Sequence, residues 1–150
     1  QSDTGMLMAR YPQPTAQAAY LDDSSPNLGA IYENVIAQEL TAQGIPLYYY
    51  MAKKHGEVDF IADTNADSVM PFEVKSGRSY RTHAAIDAVL ANAEYRISQG
   101  VVLSRSNIAQ DGGTTYLPLY ATYCLRDVCN LASPSTVSTI GDFSLTVHPV

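Results

Sequence analysis

Between residues 28 and 40 the apolar side chains Leu28, Ile31, Tyr32, Val35, Ile36 and Leu40 recur at three- and four-residue steps. That period belongs to an amphipathic helix and predicts one over about 27–43, with Gly44 as its stop. The pattern then changes. "IPLYYYMA" (45–52) is a buried-looking strand, followed by the basic loop "KKHG". "EVDFIA" (57–62) and "VMPFEVK" (69–75) read as strands flanking the turn "DTNAD". A second helix is predicted over about 82–98 ("THAAIDAVLANAEYRIS"), closed by Gly100. "VVLS" (101–104) is short and almost wholly apolar, as in a strand covered on both faces. "DGGTTYLPLYATYCL" gives a turn and then a short strand or helix. Residues 1–26 read as loop, since "PQPTAQ" and "DDSSPN" are turn text. The Ser/Thr-rich end closes on "DFSLTVHPV", whose alternation predicts a terminal strand. The order α-β-β-β-α-β argues for a mixed α/β sandwich around a central sheet.

The two hairpin strands carry ionisable groups inside apolar runs: Asp59 in one, Glu73 and Lys75 in the other. Residues two apart in a strand share a face, so Glu73 and Lys75 project together, and Val58 and Phe60 are expected on the face opposite Asp59. A hairpin centred near residue 66 pairs positions whose numbers sum to about 132, which sets Asp59 opposite Glu73. Two facing carboxylates repel unless one takes a proton or a cation lies between them. A hard divalent ion such as Mg²⁺ accepts one or two carboxylates together with waters and phosphate oxygens. Lys75 would then stand where it can neutralise a phosphate or orient a water. The plainer alternative is a solvated strand face with a weak ion pair between Glu73 and Lys75.

Composition sharpens this. Charged residues are 16% of the chain, apolar ones 46%, and there are eleven tyrosines, which suits a surface held against something else. The net charge is −6, and nine Lys and Arg leave little for a basic nucleic-acid face, so any such contact has to come from local cations or from a segment outside this chain. The local cations are Lys53, Lys54 and His55 before the hairpin and Arg78 and Arg81 after it. Arg78 and Arg81 are the better-placed phosphate contacts. His55 and His83 are read as solvated. Cys124 and Cys129 sit about 140° apart if helical, which does not suit a disulfide, and they are read as free, partly buried thiols. No signal peptide and no membrane-length apolar run is visible, so the cytoplasm is the expected compartment.

The set Gly29-x₃-Glu33 on the first helix, then Val58-Asp59-Phe60, then Glu73-Val74-Lys75 resembles the PD-(D/E)XK nuclease superfamily. Its spacing is similar to that of archaeal Holliday-junction resolvases. More closely, "SDTGML", "LGAIYENVIAQEL", "LYYY", "EVDFIAD", "FEVKSG", "VVLS" and "LPLY" resemble, in order, a domain of unknown function found C-terminal to AAA-type ATPase modules in bacteria and archaea. The likeness covers roughly residues 2–125. It implies a restriction-endonuclease-like sandwich over residues 1–125, with 126–150 as an extension packed on it, cut from a longer ATPase protein. It also implies Asp59 and Glu73 as ligands of Mg²⁺ or Mn²⁺, Lys75 as the catalytic lysine and Glu33 as the acid completing the site. The expected proline before Asp59 is Val58, which leaves the acid in place. No phosphate-binding G-x-x-x-x-G-K-[S/T] sequence occurs in the chain itself. Glu39, near the middle of the helix's apolar arc, is expected to be a buried acid, in a structural role or as a further site carboxylate.

These residues support two function classes. One is a metal-dependent nuclease acting on DNA or RNA, with its ATPase module as partner. The other is a non-catalytic interaction or regulatory module that keeps the same fold.

Overall fold

The computed structural model describes residues 3–21, 28–52, 56–66, 68–131 and 148–149. It is a mixed α/β structure whose seven-stranded sheet has the order β5-β6-β4-β3-β2-β1-β7. The strands are β1 (Tyr48–Ala52), β2 (Gly56–Asp63), β3 (Val69–Lys75), β4 (Gly100–Ser104), β5 (Ala109–Asp111), β6 (Thr114–Pro118) and the two-residue β7 (His148–Pro149). β1, β2 and β3 form an antiparallel meander, whereas β3, β4 and β6 run parallel. Helices α3 (Gly29–Ala42) and α4 (Ala84–Ala91) cover opposite faces.

Each face has its own apolar layer. Ile36 and Leu40 of α3 pack on Phe60, Ala62, Met70, Phe72, Val74, Val101 and Leu103. After a 3₁₀ turn (Leu119–Cys124), Leu125 of the short helix α5 (Leu125–Val128) and, beyond it, Cys129 and Leu131 close the same layer. On the other face Ala85 and Val89 of α4 meet Val58 and Ile61, while Ile86 meets Val102 and Tyr116. Gly44, at φ 70°, ends α3 in the left-handed region, and the Ile45 amide returns 3.0 Å to the Leu40 carbonyl.

The N-terminal segment departs from the loop expected of it. Thr4–Met8 form α1, capped by the Asp3 carboxylate on the Met6 amide at 2.7 Å. Gln13–Tyr20 form α2. Pro12 and Pro14 stand at its start, where a missing N–H costs nothing, so prolines that read as breakers are helix openers. Residues 22–27, including most of "DDSSPN", lie outside the described residues. The expected 82–98 helix is also shorter. Asn92 is extended (ψ 102°) and its side chain accepts the Glu94 amide, so α4 gives way to a separate 3₁₀ turn over Ala93–Tyr95.

The hairpin register is the expected one over Phe60 opposite Phe72 and Ile61 opposite Pro71, but the ladder ends there and the expected pairing of Asp59 with Glu73 is not formed. The faces also differ from expectation. Tyr48 pairs with Ile61 and Tyr50 with Val58, so β2 spends one residue more than β1 over the same span. This bulge puts Val58 in the α4 layer and Phe60 in the α3 layer, correcting the expectation that they share a face. Of the expected "DFSLTVHPV" strand, only the backbone of His148 and Pro149 lies within the described residues, pairing with Tyr49 and Tyr48.

Candidate active site

The bulge delivers Asp59. The ladder between β2 and β3 has its last paired residues at Phe60 and Phe72. Beyond them the Val74 amide is satisfied by Asp59 Oδ2 at 2.7 Å, so a carboxylate takes the place of a strand carbonyl. Asp59 is more than half buried. Burial pushes its carboxyl up to about 7, the Val74 amide opposes the rise, Glu33 and Glu73 add to it, and Lys75 lowers it. The other three expected catalytic residues, Glu33, Glu73 and Lys75, therefore all act on Asp59.

Glu73 lies one residue along β3 from Phe72, with 6% of its surface exposed. Its Oε1 is paired with Lys75 Nζ. Its Oε2 is buried without a hydrogen-bond partner. A buried carboxylate oxygen left unpaired costs free energy, and a cation beside it would remove that cost. Glu33 reaches the same site from α3. Its carboxyl is raised by burial, then by Glu57, with Lys75 opposing. Glu57, an exposed residue at the start of β2, lines one groove with Glu33 and Asp59 and is not among the residues the sequence pattern singles out. Its only signal was a second acid two residues before Asp59.

Among the described residues, no group of three or more His, Cys, Asp or Glu side chains is arranged to hold a metal ion. What the site offers is two carboxylates within electrostatic reach of each other, Asp59 and Glu73, with one oxygen of Glu73 unpartnered. Mg²⁺ often takes only one or two protein carboxylates, and this donor set fits that habit.

Asp59 and Glu33 open onto a groove of about 1130 Å³ that runs between α1, α3 and the start of β2. Glu39 and Glu57 also line it, and no Lys or Arg stands among its described lining residues. Glu39 is exposed there, loosely joined by Gln43 Nε2 at 3.4 Å, not buried as expected. The buried face of α3 is set by Ile31, Ile36 and Leu40, which turns Val35 and Glu39 outward.

The expected phosphate contacts divide. Lys53, Lys54 and His55 lie outside the described residues. Arg78 is exposed in the loop after β3. Arg81 is held on the α4 side, its guanidinium carbon 5.7 Å from the Tyr80 ring centre and 5.1 Å from that of Tyr116. Its NH1 nitrogen is 3.6 Å from Asp111. His83, expected to be solvated, is 6% exposed because it opens α4 over the sheet. Its Nε2 is 2.7 Å from the Tyr116 hydroxyl. Asp87 Oδ1 is 2.9 Å from Nδ1 but off the direction of the ring nitrogen, which has no aligned hydrogen bond. Cys124 and Cys129 are free thiols, and burial pushes Cys129 up to about 12. Among the described residues, no helix is long and apolar enough to cross a membrane.

Fold and site together define a mixed α/β domain with two carboxylates and a lysine where an antiparallel hairpin meets a parallel sheet. Residues 28–122 match the family described as the domain of unknown function DUF4143, and the chain belongs to that family. Neither the curated proteins nor the solved structures yield a match to it.

Proposed function

We propose that this domain is a metal-dependent nuclease of the PD-(D/E)XK type, built on a restriction-endonuclease-like core. The observation that carries the reading is the unpartnered, buried Glu73 Oε2, next to Lys75 and within electrostatic reach of Asp59. The order α3-β1-β2-β3-α4-β4, with an antiparallel meander and then a parallel crossover, agrees with such a core.

In this reading Asp59 and Glu73 would hold Mg²⁺ or Mn²⁺, which when bound would activate a water and polarise a phosphate oxygen. Lys75 brings a positive charge to the place where negative charge grows on the phosphoryl oxygens. Its pairing with Glu73 fixes the ammonium in advance, so little reorganisation is needed during reaction. Glu33 approaches from α3 and serves as a proton acceptor at the edge of the site. Arg78 and Arg81 contact the nucleic acid. An AAA-type ATPase module, in the same chain or bound to it, would present the substrate.

Calorimetric titration of Mg²⁺ and Mn²⁺ tests the reading without a choice of substrate. Binding is expected in the wild type and lost in Asp59→Ala and Glu73→Ala. Lys75→Ala should keep the cation and lose cleavage of every nucleic acid the wild type cuts. Full activity in Lys75→Ala would overturn the mechanism.

A second reading, a non-catalytic interaction module, draws on a different observation. Tyr20, Leu21, Tyr120 and Tyr123 are each at least 65% exposed, a large apolar display for a chain of this size. Absence of cation binding in the titration would favour it.

A further inference from the structure

We infer that Tyr80 and Arg81 form a stacking platform for an unpaired base, so that the site's substrate is single-stranded nucleic acid. This rests on the nuclease reading and narrows its substrate class.

The position comes from the sheet. Glu73 pairs with Val102 across the parallel β3–β4 ladder, and Val102 with Tyr116 across β4–β6. Residues paired in this way project to one face, so Glu73 and Tyr116 stand in one row, two strand spacings or about 10 Å apart. A short stretch of extended single strand spans that distance. That row is itself covered by α4, where Ile86 packs on Val102 and Tyr116. A strand would therefore pass outside it, with a phosphate at Glu73 and Lys75 and a neighbouring base on the exposed side of Arg81.

The surface there fits a base. Arg81 lies over Tyr116, which is only 2% exposed, and beside Tyr80, whose ring meets Tyr116 edge-on with centroids 5.6 Å apart. The Arg81 side chain is 57% exposed, which leaves it surface for an incoming ligand. Its partner Asp111 is 71% exposed at 3.6 Å, a weak surface pair that an incoming ligand can replace. A planar guanidinium backed by aromatic rings offers a base a flat, cationic face, which a lysine would not.

The charge balance points the same way. A duplex held through its phosphates needs a row of cations. This chain has nine Lys and Arg against fifteen Asp and Glu, and the groove along α3 carries Glu33, Glu39, Glu57 and Asp59. Stacking supplies affinity with few cations, which is how an acidic domain can hold a flexible strand.

Fluorescence anisotropy in EDTA tests this, with labelled oligo-dT and oligo-rU of about eight nucleotides and a blunt hairpin duplex as probes. The wild type should bind at least one single strand about tenfold more tightly than the duplex. Tyr80→Ala and Arg81→Ala should each weaken that binding by roughly 5- to 100-fold, and Arg81→Lys nearly as much as Arg81→Ala. Near-UV dichroism establishes that each variant is folded. Wild-type affinity in Arg81→Lys would reduce the contact to charge alone and overturn the platform. So would duplex binding equal to single-strand binding, or no binding of either strand. Because EDTA removes divalent cations, failure of the nuclease reading appears in the calorimetry and leaves this result standing.

Discussion

Asp59 Oδ2 and the Val74 amide, 2.7 Å apart, join two neighbouring strands through a side chain where a backbone carbonyl would ordinarily serve. One carboxylate thereby holds the strands in register and keeps its second oxygen for other work. The arrangement exacts a cost in ionisation, since burial favours the protonated acid.

That cost has a sign. The folded value, about 7, lies above the ordinary 3.8, so the native state binds the proton more tightly than the unfolded chain does. Stability from Asp59 is fully present below pH 3.8 and is lost as pH rises through about 7. Thermal melts without metal should show Asp59→Asn gaining on the wild type as pH rises across this window. An unchanged difference between the two melts would sink the assignment. At neutral pH, saturating Mg²⁺ should raise the wild-type Tm and leave that of Asp59→Asn nearly still.

Glu73 and Lys75 form a pair with one buried partner and one 31% exposed. Lys75→Met leaves Glu73 uncompensated and should cost about 1–3 kcal/mol, less than a fully buried pair because water reaches the lysine. Adding Glu73→Gln to Lys75→Met should restore most of the loss. Urea denaturation of the two single variants and the double variant measures the coupling, and simple additivity would contradict it.

The His83–Tyr116 bond makes a comparable case on the α4 face. Tyr116→Phe leaves His83 Nε2 buried without its partner at 2.7 Å, and should destabilise by about 1–3 kcal/mol. His83→Leu combined with Tyr116→Phe should cost less than the sum of the two. Denaturation of an equal sum would show that the two side chains do not interact.

Two glycines differ in what they tolerate. A Cβ at Gly113 would stand 2.6 Å from the Ser98 carbonyl oxygen, beside the 2.9 Å hydrogen bond from the Gly100 amide to the Gly113 carbonyl. At Gly77 a Cβ meets nothing within 4 Å. Gly113→Ala should lose about 1–3 kcal/mol and Gly77→Ala well under 1 kcal/mol, both read from chemical denaturation.

The sequence made β3 legible to its ends, because alternation and turn residues agree at both Val69 and Lys75. It also placed α3 within two residues, since Gly44 stops what Leu28 begins. The faces of β2 were not legible. Strict alternation is the assumption used to read a strand, and a bulge violates it without leaving a mark at Asp59 or Phe60. Glu39 misled for a related reason: one helical arc can be drawn through Val35, but the packed helix turns Val35 outward. Pro12 and Pro14 concealed α2, because a proline opening a helix reads the same as one ending it. At the site, the residue types of Asp59, Glu73 and Lys75 were visible in sequence. The open oxygen of Glu73 and the Tyr80–Arg81–Tyr116 stack needed side chains brought together from β3, β6 and the loop before α4.

The extra residue in β2 also works as a phase marker. Deleting one residue between Val58 and Ile61 would let the strand resume uninterrupted alternation, and everything before the deletion would have to slide or invert relative to everything after it. The apolar layers on both sides of the sheet resist that exchange, because Val58 is seated against α4 and Phe60 against α3. The carboxylate's address is thus written in the count of residues between two buried side chains, and a change of length there would alter the site more deeply than a change of letter.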